Sequence, residues 1–81
     1  MKAKVTVKLK KGVLDPQGKA ILNSGHALGF EELTDVRAGK VFEIDLNTED
    51  KAKAEPRLKQ LADKLLANTV IESFEVEILG K

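Results

Sequence analysis

Leu33-Thr34-Asp35-Val36-Arg37-Ala38-Gly39-Lys40-Val41-Phe42-Glu43-Ile44-Asp45-Leu46 can be folded in two ways, and the choice decides whether one chain or two complete the sheet. From Val41 onward the pattern is plain. Phe42, Ile44 and Leu46 share one face, and Val41, Glu43 and Asp45 share the other, which is a half-buried strand. Leu33 to Arg37 is shorter and mixed, and also reads as a strand. Between them lies Arg37-Ala38-Gly39-Lys40. A two-residue Ala38-Gly39 turn is poor, because hairpins favour Asn-Gly or a leading Gly. It would also turn Val36 to the face opposite Phe42. Two alternatives keep Val36, Phe42 and Ile44 together. One is a three-residue loop, 37–39, with Gly39 left-handed in a bulge. The other is a single strand over 33–46 that crosses into a second subunit, making a swapped dimer. Side-chain parity is the same in both.

On the N-terminal side, residues 2–10 alternate, with Val5, Val7 and Leu9 inward and Lys4, Thr6, Lys8 and Lys10 outward. Gly12-Val13-Leu14-Asp15-Pro16-Gln17-Gly18-Lys19-Ala20 then opens a helix over about 16–28, with Asp15 at the N-cap and Pro16 at its first position. Ile21, Gly25 and Leu28 repeat at helical spacing, and Gly29 marks the end. On the C-terminal side, Thr48 is the expected cap of a second helix, whose stripe is Ala54, Leu58, Leu61, Ala62 and Leu65. Pro56 lies within that stretch and either starts the main helix or kinks it. Asn68 ends the helix. Phe74, Val76 and Ile78 alternate with Glu75 and Glu77 in a last strand.

The order βαββαβ predicts an α+β domain spanning 1–81. The expected form is an antiparallel four-stranded sheet with both helices on one face, ferredoxin-like. A chain of 81 residues buries roughly 60–65% of its unfolded surface, and without disulfides or metals such chains often gain stability by association. There is no cysteine and a single histidine, His26. That excludes disulfides, thiolate catalysis and a multi-histidine metal site. The net charge of +1 gives no bias toward nucleic acid or membrane. No apolar run approaches a membrane span, and no signal-peptide core follows Met1. The cytoplasm is the expected location.

A glycine and a lysine near a helix start invite a phosphate-loop reading of Gly12–Ala20, which fails. Five residues separate Gly12 from Gly18 where the motif needs four, and Ala20 replaces the magnesium-binding hydroxyl. Pro16 removes a backbone donor, and Asp15 would repel phosphate. Capping explains Asp15 and Pro16 but not Gly18, which implies close approach of another backbone. An RNA-binding sheet would stack bases on aromatics, but the outward positions carry Thr6, Lys8, Glu43 and Asp45, and the lysines can pair with the carboxylates. His26, the Glu31-Glu32 pair and the Glu75/Glu77 edge form no nucleophile–base–orienter set. No catalytic, cofactor-binding or metal residue is assigned. An ACT-like regulatory domain has the same element order and is the alternative class.

Val7-Lys8-Leu9-Lys10-Lys11-Gly12-Val13-Leu14-Asp15-Pro16-Gln17-Gly18 resembles the opening of the PurS family, the small subunits of phosphoribosylformylglycinamidine (FGAM) synthase. Leu28-Gly29-Phe30 with Asp35-Val36-Arg37-Ala38-Gly39-Lys40 is similar to a second signature, and Leu65-Leu66-Ala67-Asn68 with Val70-Ile71-Glu72 to a third. Thr69 departs from the proline common in the family, and Pro56 is unusual. The resemblance implies a non-catalytic accessory subunit of a ligase in purine synthesis. The complete enzyme uses ATP, magnesium and glutamine to convert formylglycinamide ribonucleotide to the amidine. The implied partners are the large synthase subunit, the glutaminase subunit and further copies of the chain, as a dimer or, in isolation, a tetramer. The small subunit would join the other two and support an ammonia path. Gly12, Asp15, Pro16, Gln17 and Gly18, with Arg37 and Lys40 as polar anchors, are the expected partner interface.

Overall fold

Alternation along the first strand builds the core. In a computed structural model that describes residues 1–80, β1 (Lys2–Leu9) buries Ala3, Val5 and Val7 and turns Lys2, Lys4, Thr6 and Lys8 to the other face. β2 (Gly39–Asp45) and β3 (Glu72–Gly80) flank it, both antiparallel, in the order β2-β1-β3. The register sets Val5 opposite Phe42 and Val76, Ala3 opposite Ile44 and Ile78, and Val7 opposite Phe74. One face is therefore aliphatic and aromatic from Ala3 to Val7, with Lys40 and Glu72 at its far end opposite Val7 and Leu9. The outer face has Lys2, Lys4, Thr6 and Lys8 along its centre, flanked by Glu43 and Asp45 on β2 and Glu75 and Glu77 on β3, and Lys4 Nζ lies 3.5 Å from Glu77 Oε1. It carries no aromatic side chain among the described residues.

The inner face is covered by α2 (Lys51–Leu61), which continues into a π-helical turn over Ala62–Leu66. Ala54, Leu58 and Ala62 are buried against the sheet, and Leu66, Ala67, Phe42, Ile44, Phe74 and Val76 close around them. The small residues let the helix backbone come close to the strands. The Ala67 amide donates to the Ala62 carbonyl at 2.8 Å, and this wider turn brings Leu66 and Ala67 to the core while Leu65 stays 74% exposed. The cap is Asp50, whose Oδ1 accepts from the Ala52 amide at 3.0 Å. Thr48, the expected cap, receives the Asp50 amide on its hydroxyl instead. Pro56 sits inside α2 without ending it.

Among the described residues three strands form, where the sequence predicts four. Residues 33–38 make no strand. Gly39 does not adopt a left-handed conformation and begins β2 directly opposite Lys8. The three-residue hairpin is therefore absent, and the chain enters β2 from a segment with no regular secondary structure.

The second departure is α1 (Pro16–Ala27). We expected it beside α2 on the sheet, but it makes no substantial contact with the sheet or with α2. Of its residues only Gly18 is buried. A compact chain of this length has a radius of gyration of about 12 Å. Here it is 16.0 Å, and the molecule measures 48 × 28 × 14 Å. The chain is thus a sheet body with a projecting arm, made of α1 and the returning segment 28–38.

Candidate assembly site: the corner and the arm

The corner between β1 and α1 is built from local turn chemistry. Lys10 donates its amide to the Ile71 carbonyl at 2.8 Å, and the Val13 amide closes a turn on the Lys10 carbonyl at 3.2 Å. Gly12 takes φ +85° in that turn, a region open to glycine at no steric cost. Asp15 follows as N-cap in extended conformation, and its Oδ1 accepts from the Gly18 amide at 2.8 Å. Pro16 occupies the first helical position, where its missing N–H costs nothing. At the far end Gly29 has φ +101°, with the Gly29 amide on the His26 carbonyl and the Phe30 amide on the Gly25 carbonyl. That is a Schellman ending.

The returning segment then comes back along α1 to the same corner. Asp15 Oδ2 accepts from the Ala38 amide at 2.7 Å. One carboxylate, only 6% exposed as a residue, thus holds the start of α1 and the entry to β2. Arg37 Nη2 donates to the Lys10 and Val13 carbonyls, each at 3.1 Å. Gly18 packs against the Val36 carbonyl, and a Cβ at Gly25 would lie 2.6 Å from Leu33 Cδ1. The His26 ring is bonded to the Leu33 carbonyl through Nε2 at 2.8 Å. The close approach expected at Gly18 is to this chain's own backbone.

Asp15 is held below the usual carboxylate value, first by the Gly18 amide, then by the Ala38 amide, with the Arg37 charge and the Gln17 amide adding to them against partial desolvation. The folded value lies below the unfolded one, so this carboxylate stabilises the fold above the unfolded value of 3.8. That stability is lost as pH falls through the lower folded value. The expected result is an acid limb below about pH 4 in urea-unfolding midpoints, flattened in Asp15→Asn. An unchanged limb in that variant would contradict the clasp.

Asp15, Pro16, Gln17, Gly18, Arg37 and Lys40 converge on this corner, with Gly12 in its turn. Their bonds sort them. Asp15, Gly18 and Arg37 are engaged within the chain, whereas Gln17 and Lys40 border a shallow depression with Asp15, Ala38 and Glu72. Sequence reasoning missed Ala38 and Val36 as the other half of the corner, because they act through backbone atoms. It also missed the arm's outer surface, where Ile21, Leu28, Phe30 and Leu33 line an apolar groove. Leu28 is 77% and Phe30 55% exposed. Ile21 and Leu28 repeat at helical spacing, but the face they mark lies on this groove and not on the sheet. Among the described residues no three His, Cys, Asp or Glu side chains gather as a metal site, and no helix is long and apolar enough to cross a membrane.

These features define a class: a small α+β chain whose apolar surface exceeds what its own helices cover. The family model for PurS, phosphoribosylformylglycinamidine (FGAM) synthase, matches residues 2–80. The chain is 43% identical over 77 residues to the PurS subunit of that synthase from Bacillus subtilis, covering 95% of this chain and 90% of that one. The solved structure of B. subtilis PurS superposes with a TM-score of 0.84 and 94% coverage of both chains. A chain in the structure of PurLQS from Thermotoga maritima, 29% identical, superposes with a TM-score of 0.85 and 95% coverage of both. The chain belongs to the PurS family of FGAM synthase subunits.

Proposed function

We propose that this chain is the non-catalytic accessory subunit of FGAM synthase, holding the large synthase subunit and the glutaminase subunit together so that ammonia passes between them. ATP, magnesium and glutamine are then used by the complex and not bound by this chain, and the assembly works in the cytoplasm. The observation that carries this reading is the likeness, over nearly the whole of both chains, to a chain within PurLQS from T. maritima. The apolar arm supports it, since a surface of this kind normally marks an association site.

The chain acts as a dimer and, in isolation, as a tetramer. The irregular segment 33–38 and the outer edge of β2 are the parts left over by a three-stranded sheet. In the dimer, residues 33–46 run as one long strand into the second copy and supply the fourth, ferredoxin-like strand that one chain lacks. Gln17 and Lys40, with the corner formed by Gly12, Asp15, Pro16, Gly18 and Arg37, face the larger subunits.

Co-purification with tagged synthase and glutaminase subunits tests the reading. The chain is expected to be retained by both together in the presence of glutamine. Gln17→Ala with Lys40→Ala should weaken retention while leaving the fold and the dimer intact. Full retention of the folded double variant would remove Gln17 and Lys40 from the interface, and failure of the parent chain to bind would refute the accessory role.

A further inference from the structure

We infer that Asp15 and Arg37 are positioning residues for self-association: together they fix the direction of the arm relative to the sheet body. This rests on the dimer reading above. α1 has no substantial packing on the body, so its direction is set where the two parts join. Three long-range bonds close that join, with the Asp15–Gly18 cap beside them. Asp15 ties the Gly18 amide to the Ala38 amide, and Arg37 ties the returning segment to the carbonyls of Lys10 and Val13. Gly18 is bare so that the Val36 carbonyl can sit against the first turn of α1. The same bonds hold residues 37 and 38 in place as they enter β2, the stretch that the dimer would pair. Loosening the clasp leaves β1, β2, β3 and α2 with their own core, but frees the arm and the strand entry to move. Binding must then order them again, and that ordering cost appears as weaker association.

Asp15→Ser separates this role from simple capping. A serine hydroxyl caps a helix well, so the Gly18 bond is kept. Its single oxygen cannot also reach Ala38. Sedimentation equilibrium of the full chain is compared for the parent, Asp15→Ser, Arg37→Ala and Leu28→Asp, at a temperature where circular dichroism shows each folded. The expected result is a dimeric parent, unchanged helical signal in Asp15→Ser, and a dimer Kd raised about tenfold in Asp15→Ser and in Arg37→Ala, the scale of re-ordering a few side chains. Faster amide exchange at Ala38 should accompany it. Leu28→Asp reports on the arm's apolar surface itself. If the parent is dimeric and both clasp variants associate as tightly as it does, the positioning role is overturned and the dimer stands. A monomeric parent overturns both. Should Asp15→Ser fail to fold, Arg37→Ala decides alone, since that exposed side chain bonds only to two carbonyls.

Discussion

Gly18→Val is expected to destabilise the chain by about 2–3 kcal/mol, the upper part of the range for forcing atoms into filled space. The added side chain has nowhere to go. The nearest atoms are the Val36 carbonyl, Asp15 Oδ2 and the Val36 carbonyl carbon, two of them backbone. Relief requires the returning segment to move off α1, which breaks the Asp15–Ala38 bond as well. In a chain of this size, that loss corresponds to a fall in Tm of roughly 10–20 °C. Urea unfolding measures it directly. Hydrogen exchange should show the damage spreading over residues 16–27 and 36–38 while β1 and β3 keep their protection. A loss below about 0.5 kcal/mol, the scale of an ordinary surface change, would mean that α1 and residues 36–38 are not in contact in solution.

Leu58→Ala is expected to cost about 3 kcal/mol, with 2–5 the usual range for emptying a buried leucine site. Leu58 is 1% exposed and is among the largest fully buried side chains of the described residues. It has this weight because α2 alone covers the sheet, α1 being elsewhere. Total stability for 81 residues is only roughly 4–12 kcal/mol, so the variant should be partly unfolded at 37 °C. Leu65→Ala is the matched control. It lies one heptad along the same run but is 74% exposed, and should change stability by no more than about 0.5 kcal/mol. Equal losses in the two variants would place the helix stripe on the wrong face.

Much of this architecture is legible in local chemistry. The alternation of Val5 and Val7, the Asp15-Pro16 start of α1 and the Gly29 stop each need only neighbouring residues to read. The second helix's cap was misread by two positions because Thr48 and Asp50 are both good caps, and Thr48 spends its hydroxyl on Asp50. The fourth strand was misplaced for a different reason. Period-two alternation tells which face Val36 and Phe42 would share, but not whether Val36 has a strand to pair with, and residues 33–38 form none. The site was half legible. Asp15, Gly18 and Arg37 stood out as residues needing a partner. Their partners proved to be backbone groups between 18 and 27 residues away for the last two, and for Asp15 also the amide of Ala38, 23 residues on. A backbone amide or carbonyl leaves no mark on sequence, so those contacts could be seen only in the fold.

The account holds that this chain contributes assembly and no chemistry. Reconstitution tests it most directly. Purified synthase and glutaminase subunits are mixed with ATP, magnesium and formylglycinamide ribonucleotide, with and without this chain, and amidine formation is followed with glutamine or with an ammonium salt as nitrogen donor. Glutamine-dependent turnover is expected to require the chain, ammonium-dependent turnover by the synthase subunit is not, and the chain alone is expected to be inactive. Equal glutamine-dependent rates with and without the chain would contradict it.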